Sequence, residues 1–312
     1  MSQLVKVRPE VHTEPIGVDF EQTVPRSLVH RRAVSEVFLT DLLPVDDSTV
    51  EVGAQWPRDH SFYRLRSGQF HDPLLLAESI RQAGLAIAHR VFGVPMDWQF
   101  LTRRQDYQIS TAGLARESQP VDLLLGVACR DVKRTRRGVS GMSMDMVVYR
   151  DCERVGTGFV DWSCVSPASY ARLRSATAAA GVTGPLPRPV APGLVGRDRE
   201  HDVVLTPGPT RDTWQLRVDQ EHAVLFDHFV DHVPGMVLME AARQATILHC
   251  GGTEVIPVRS QFTFDRYVEL DEPATVTVSS LAGGADARTV RADFVQGGRI
   301  MATGLLDVLT GG

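Results

Sequence analysis

Two acidic residues set the first question of chemistry. Glu78 lies in Leu-Leu-Leu-Ala-Glu-Ser-Ile-Arg-Gln and Glu240 in Val-Leu-Met-Glu-Ala-Ala-Arg-Gln, both apolar contexts. A carboxylate among apolar side chains is costly to bury unless it is paired. Each is followed by an arginine at i+3 (Arg81, Arg243) and a glutamine at i+4 (Gln82, Gln244), so on a helix all three share a face. An exposed Glu–Arg helix pair would be worth little. The alternative is a general base held by its Arg and Gln neighbours, and its occurrence twice favours that reading. Histidines gather ahead of the second glutamate, in Asp227-His228 and Asp231-His232, just before Val233-Pro234-Gly235. A histidine beside a helix start can orient a carbonyl or a phosphate, and the free amides of a helix start, here Gly235 onward, suit an oxyanion. His60 and His222 each precede their glutamate by eighteen residues. No residue set has metal-ligand spacing, since a Pro-Gly follows His228 and His232 at once, so no metal is expected. No nucleophile elbow, P-loop or dinucleotide fingerprint stands in a suitable setting, and no cofactor is expected.

These residues sit in an internal repeat. Comparing 60–100 with 222–262, without gaps, gives nine identities in forty-one positions, where chance gives about three. The identities include the histidine, the glutamate and Arg-Gln-Ala, and extend to Pro95/Pro257 and Gln99-Phe100/Gln261-Phe262. A second block, Thr157-Gly158 with Thr303-Gly304 and Asp161 with Asp307, falls at an offset shorter by about sixteen residues. Longer strands or loops in the first half would account for the difference. Each half reads as a helix followed by strands. Asp72-Pro73 starts a helix that runs to about Arg90, stopped by Gly93 and Pro95. Pro234-Gly235 opens the second, and Gly251-Gly252 closes it. Period-two alternation marks strands at Met142–Val148, Val155–Val160, Val276–Val278 and Val290–Phe294, and Gln296-Gly297-Gly298 reads as a hairpin turn. The tract around Gly283-Gly284 also reads as a turn. Expected organisation is a first unit over 1–175, a Pro-rich surface linker over 176–199, and a second unit over 200–312. Two helix-plus-meander units cover each other's open face, which predicts an α+β fold of two tandem repeats, each a long helix wrapped by a curved antiparallel sheet.

Composition bounds the rest. The 312 residues carry a net charge of −5 and 43% hydrophobic residues, as in an ordinary globular protein. Acidic balance argues against bulk nucleic-acid binding, and no apolar run reaches membrane-helix length. Lysine occurs only at Lys6 and Lys133, so nearly every cation is an arginine, a good partner for phosphate. Cys129, Cys152, Cys164 and Cys250 form no paired motif, and with no signal peptide over Met1–Phe20 a cytoplasmic protein with reduced thiols is expected.

Two resemblances refine this reading. Asp227 to Ala245 resembles the helix entry of hot-dog β-hydroxyacyl-ACP dehydratases, with altered spacing. A closer likeness is to the A-factor synthase-like family, carried by Val24-Pro-Arg-Ser-Leu-Val-His30-Arg-Arg, His71-Asp-Pro-Leu-Leu-Leu-Ala-Glu78-Ser-Ile-Arg-Gln, Trp214-Gln-Leu-Arg-Val-Asp219 and Asp231-His-Val-Pro-Gly-Met-Val-Leu-Met-Glu-Ala-Ala-Arg-Gln244. It spans about Pro25 to Val308. This resemblance implies two fused hot-dog repeats and transfer of a β-ketoacyl group from acyl carrier protein to dihydroxyacetone phosphate. The ester would close by aldol condensation to a phosphorylated butenolide, a precursor of γ-butyrolactone signals. By motif, Glu78, Glu240 and Arg243 would be catalytic, with Arg81, Gln82, Gln244, His228, His232 and Gly235 binding substrate. On this reading a glutamate takes the hydroxyl proton, helix-start amides hold the thioester oxyanion, and an arginine binds phosphate. The competing readings are a hot-dog thioesterase or dehydratase, a lactone-binding regulator without turnover, and a synthase of alkylfuran carboxylic acids. Acyl length, carrier protein versus coenzyme A, the catalytic half, and a monomer versus homodimer stay open.

Overall fold

The computed structural model describes residues 17–175, 184–252, 255–281 and 288–310. The first half comprises strands β1 (Leu39–Pro44) and β2 (Thr49–Trp56), helix α1 (Leu74–Arg90), β3 (Gln99–Ile109), the short α2 (Thr111–Leu114), β4 (Val121–Thr135), β5 (Gly138–Arg150), β6 (Glu153–Val165) and α3 (Pro167–Leu173). The second comprises β7 (Leu205–Pro207), β8 (Thr213–Leu216), α4 (Gly235–Cys250), β9 (Val255–Phe264), β10 (Thr275–Leu281), β11 (Arg288–Gln296) and β12 (Arg299–Thr310). All twelve strands join one sheet in the order β1-β2-β4-β5-β6-β3-β9-β12-β11-β10-β8-β7. Read from either end, the order is the same pattern of strand roles, so the halves meet at a two-fold-like seam between β3 and β9. There Arg104 pairs with Thr263 and Gln108 with Arg259, antiparallel.

Helices α1 and α4 are buried on nearly every face, as expected for helices enclosed by sheet. Leu75, Leu76 and Ile80 are wholly buried, each worth about 2 kcal/mol of apolar transfer. Gly158 lets α1 approach β6 closely: a Cβ there would lie 2.6 Å from Ile80 Cδ1. Asp72 Oδ1 accepts from the Leu74 amide at 3.0 Å and starts α1, as its residue type predicts. Helix α4 ends at Gly251 in the left-handed region (φ 74°), whose amide bonds Ile247 and Leu248 carbonyls. The Gln296-Gly297-Gly298 turn forms as expected, with φ of 56° and 72° at the glycines, joining β11 to β12.

The structure corrects the repeat alignment beyond the helices. Gly158 on β6 faces Tyr107 of β3, and its counterpart Gly304 on β12 faces Phe262 of β9. The strand after the helix therefore corresponds at an offset of 155 residues rather than 162, and Pro95/Pro257, Gln99/Gln261 and Phe100/Phe262 are not structural equivalents. The connection from helix to strand is longer in the first half, and an ungapped comparison cannot register this. Strands β4 and β5 are longer than β10 and β11, which accommodates the remaining difference. Part of the expected linker (176–183) and Gly283-Gly284 lie outside the described residues. The end of that linker is not a surface strap. Pro192–Val195 forms a 3-10 turn with Val195 fully buried, and Arg197 is 3% exposed. No helix among the described residues is long and apolar enough to cross a membrane.

Candidate active site

Glu78 and Glu240 are both wholly buried, and each is the hub of a guanidinium cluster. Around Glu78, Arg81 Nε donates to Oε2 at 2.9 Å and Arg81 Nη2 to Oε1 at 2.8 Å. Arg31 Nε and Nη2 reach Oε1 at 3.1 and 2.8 Å, and Gln82 Nε2 donates to it at 2.7 Å. Glu240 has the matching set: Arg243 Nε and Nη2 at 2.8 and 2.7 Å, Arg197 Nε and Nη2 at 2.9 and 2.8 Å, and Gln244 Nε2 at 2.5 Å. Burial alone would push both carboxyls up, but the facing arginines outweigh it. Arg31 and Arg81 hold Glu78 at about 2, and Arg197 and Arg243 hold Glu240 at about 2. A carboxylate so stabilised is a poor proton acceptor. The geometry gives these glutamates another role, that of anchors for arginines.

Arg31 and Arg197 were not singled out by sequence reasoning. Their signal was present in Leu28-Val29-x-Arg31 and Leu194-Val195-x-Arg197, a repeat at an offset of 166 residues. Each arginine reaches into the opposite half. Arg31 Nη1 donates to the Val224 carbonyl at 2.9 Å, and Arg197 Nη1 donates to the Phe62 carbonyl. The two acceptor loops are shaped by the paired histidines. His60 Nδ1 accepts from the Phe62 and Tyr63 amides, and His222 Nδ1 accepts from the Val224 and Leu225 amides. That leaves His222 Nε2 as the protonated nitrogen, facing Asp202 at 3.3 Å. Although His201, Asp202 and His222 converge, this proton disqualifies His222 as a metal ligand. Gln82 and Gln244 are braces. The oxygen of each accepts a strand or loop amide (Phe38, Val204), and the nitrogen of each donates to a carbonyl (Glu36, Asp202) besides its glutamate.

The equivalence breaks at a cavity of about 500 Å³, which adjoins only the first cluster. Arg31 and Arg81 line it, whereas Glu240, Arg243 and Gln244 do not. The Arg81 side chain is 22% exposed and that of Arg243 1%. On the closed side stands Gly196, where a Cβ would lie 3.5 Å from Ile247 Cδ1 and 3.6 Å from Arg243 Nη1. On the open side its counterpart is His30, held in the left-handed region (φ 51°) and pushed down to about 3 by burial, His89 and Arg81. The cavity walls are largely apolar, including Leu85, Phe100, Trp162, Met236 and Phe264. Helix α4 points its first residue, Gly235, into the space, and N-cap Pro234 offers no side-chain cap. The amide end of α4 is therefore available to an anion.

His228 and His232 also line this cavity. Burial and then Arg81 lower His228, which keeps a 3.4 Å contact to Asp227. The second histidine is better oriented: His232 Nδ1 lies 2.8 Å from Asp231 Oδ1. Asp231 is itself fixed by Tyr170 Oη at 2.7 Å and Arg174 Nε at 3.0 Å. Hydrogen bonds from His232, Tyr170 and Arg174 hold Asp231 well below the usual carboxylate range, against its burial. An ionised Asp231 can only accept, so His232 Nδ1 carries the proton, which in the neutral ring leaves Nε2 as the acceptor.

Comparison with known proteins agrees with the fold. Residues 15–166 and 179–310 match the family described as the A-factor biosynthesis hotdog domain. A 2-oxo-3-(phosphooxy)propyl 3-oxoalkanoate synthase of Streptomyces virginiae is 43% identical over 259 residues, covering 83% of this chain and 88% of that protein. A synthase of the same name from Streptomyces coelicolor is 38% identical over 288 residues, covering 90% and 91%. Among solved structures, a protein assigned as an oleoyl thioesterase from Lactobacillus plantarum superimposes with a TM-score of 0.52 at 13% identity, over 83% of this chain and 96% of that one. At that identity the likeness concerns the hot-dog fold alone.

Proposed function

Because the chain belongs to the A-factor biosynthesis hotdog family, we propose that it is a synthase of 2-oxo-3-(phosphooxy)propyl 3-oxoalkanoates, transferring a β-ketoacyl group from a carrier thioester to dihydroxyacetone phosphate. The observation that carries this reading is the joining, in one cavity, of an apolar wall, two arginines and an uncapped helix start. A β-ketoacyl chain needs the first, and a phosphorylated three-carbon alcohol needs the others.

Each step uses a residue of the open side. Arg81, held by Glu78, binds phosphate, with Arg31 behind it. His232 Nε2 accepts the proton of the attacking hydroxyl while Asp231 stabilises the imidazolium that forms. The hydroxyl oxygen bonds to the thioester carbon, and the amide of Gly235 steadies the oxyanion. The C–S bond then breaks, and the proton passes from His232 to the departing thiolate. Atoms balance as ester plus free thiol. Glu240, Arg243, Gln82 and Gln244 keep the two halves in register and touch no reacting atom. Acyl carrier protein as donor rests on the family resemblance alone.

The test is mass spectrometry of the products from a β-ketoacyl thioester with and without dihydroxyacetone phosphate. The expected product is the phosphooxypropyl ester, or the butenolide formed by its closure. Release of free β-keto acid at the same rate with or without the alcohol would make the protein a thioesterase and end this reading.

A further inference from the structure

The two clusters differ at one position that fills one and leaves the other open. Asp72 and Pro234 are equivalent in sequence, at the helix offset of 162, and in backbone role. The Asp72 carbonyl accepts from Leu75 at 2.9 Å, and the Pro234 carbonyl accepts from Val237 at 3.0 Å. Asp72 is wholly buried, and its carboxyl sits between the start of α1 and the second cluster. Oδ1 caps the Leu74 amide, while Oδ2 lies 3.5 Å from Arg197 Nη2 and has no hydrogen-bond partner. Burial pushes the Asp72 carboxyl above the usual range, and Arg243 and Arg197 pull against that. On the closed side, then, two guanidiniums face two carboxyl groups, Glu240 and Asp72.

On the open side, Arg31 and Arg81 share only Glu78, and proline stands where the second carboxyl would be. The other acid acting on Arg31, Asp227, accepts from the Arg32 and Ala33 amides at 2.6 and 3.0 Å. Space replaces the missing group, because the cavity lies between Arg81 and Gly235.

We infer that Asp72 is a built-in stand-in for the substrate anion. The phosphate of the acceptor occupies, in the open copy, the place that the Asp72 carboxyl occupies in the closed copy, between the Met236 amide and Arg31, the counterpart of Arg197, with Arg81 beside it. The chain therefore has one working site per pair of repeats, and the other is sealed by its own carboxyl. That the anion is a phosphate ester rests on the synthase reading; the position of the anion does not.

Inorganic phosphate is the probe, read by calorimetry and by thermal shift without turnover. The wild-type chain should bind one phosphate, and Arg81→Met should weaken it at least tenfold while Arg31 keeps Glu78 paired. Pro234→Asp installs the closed copy's carboxyl in the open site. It should weaken phosphate binding at least tenfold and raise the melting temperature, whereas Pro234→Asn, uncharged, should bind within about threefold of wild type. Unchanged phosphate binding in folded Pro234→Asp overturns the inference, as does equal loss in Pro234→Asn. From the other side, Asp72→Ala in an Arg81→Met background should lose thermal stability that added formate partly restores. A formate response no larger than that of Arg81→Met alone also overturns it. Phosphate binding that follows these rules in a chain making no ester would sink the synthase reading and leave this one standing.

Discussion

Replacing Glu78 with glutamine separates an anchor from a base. The substitution keeps the shape and removes one negative charge from a wholly buried cluster with Arg31 and Arg81. A carboxyl whose pKa falls from its ordinary 4.5 to about 2 on folding stabilises the folded state by about 3 kcal/mol at neutral pH. Loss of one partner from a buried ion pair costs about 3–5 kcal/mol, which agrees. The sign follows from the depressed value. This stability is fully present above about pH 4.5 and is lost as the pH falls toward 2. Urea unfolding of wild type and Glu78→Gln at pH 7 should therefore differ by about 3 kcal/mol, and the gap should narrow steadily below about pH 4.5. Activity adds a second readout. As an anchor, Glu78 touches no reacting atom, so in the folded fraction of Glu78→Gln kcat should stay near wild type while the stability falls. A stability gap under about 1 kcal/mol at pH 7, or one that stays constant down to pH 2.5, would refute the ion-cluster account. A loss of about 10²-fold or more in kcat in the folded fraction of Glu78→Gln, with KM for both substrates unchanged, would return the base role to Glu78.

Other outcomes follow from the same geometry. His232→Asn should cut kcat by about 10²-fold or more with the melting temperature nearly unchanged, measured by ester formation and circular dichroism. Arg81→Met should raise KM for dihydroxyacetone phosphate far more than KM for the thioester; equal effects would remove Arg81 from the phosphate site. Arg243→Met, on the sealed side, should cost about 3–5 kcal/mol of stability and leave the KM for either substrate near wild type in the folded fraction. Gly84 lines the cavity, and a Cβ there would already touch Val160 at 3.4 Å. Gly84→Met should therefore shift acyl preference toward shorter chains, read by competition between thioesters of different length.

Much of the fold was legible because the two helices carry their own punctuation. Asp72-Pro73 and Pro234-Gly235 start them, Gly251 ends the second, and burying an acid with its arginine twice demanded two equivalent interiors. The hairpin glycines at 297 and 298 were equally plain, because only a positive φ fits there without strain. Strands β1 to β4 and β7 to β9 were not read, since their pairing depends on distant neighbours rather than on local pattern.

At the site, the sequence by itself determined which residue types recur: glutamate, arginine and glutamine at helical spacing, and histidines before a helix start. It could not rank the halves, because spacing is blind to what lies across the seam. Only the tertiary structure brought Arg31 and Arg197 to the glutamates, from segments more than forty residues away in the chain. That contact favours anchors over bases, since a carboxylate ringed by guanidiniums binds an incoming proton too weakly to serve as a base. The packing likewise decided that Asp72 closes one copy while Pro234 leaves the other open. A single carboxyl changes both the charge balance and the free volume, and neither is written in the order of residues along the chain.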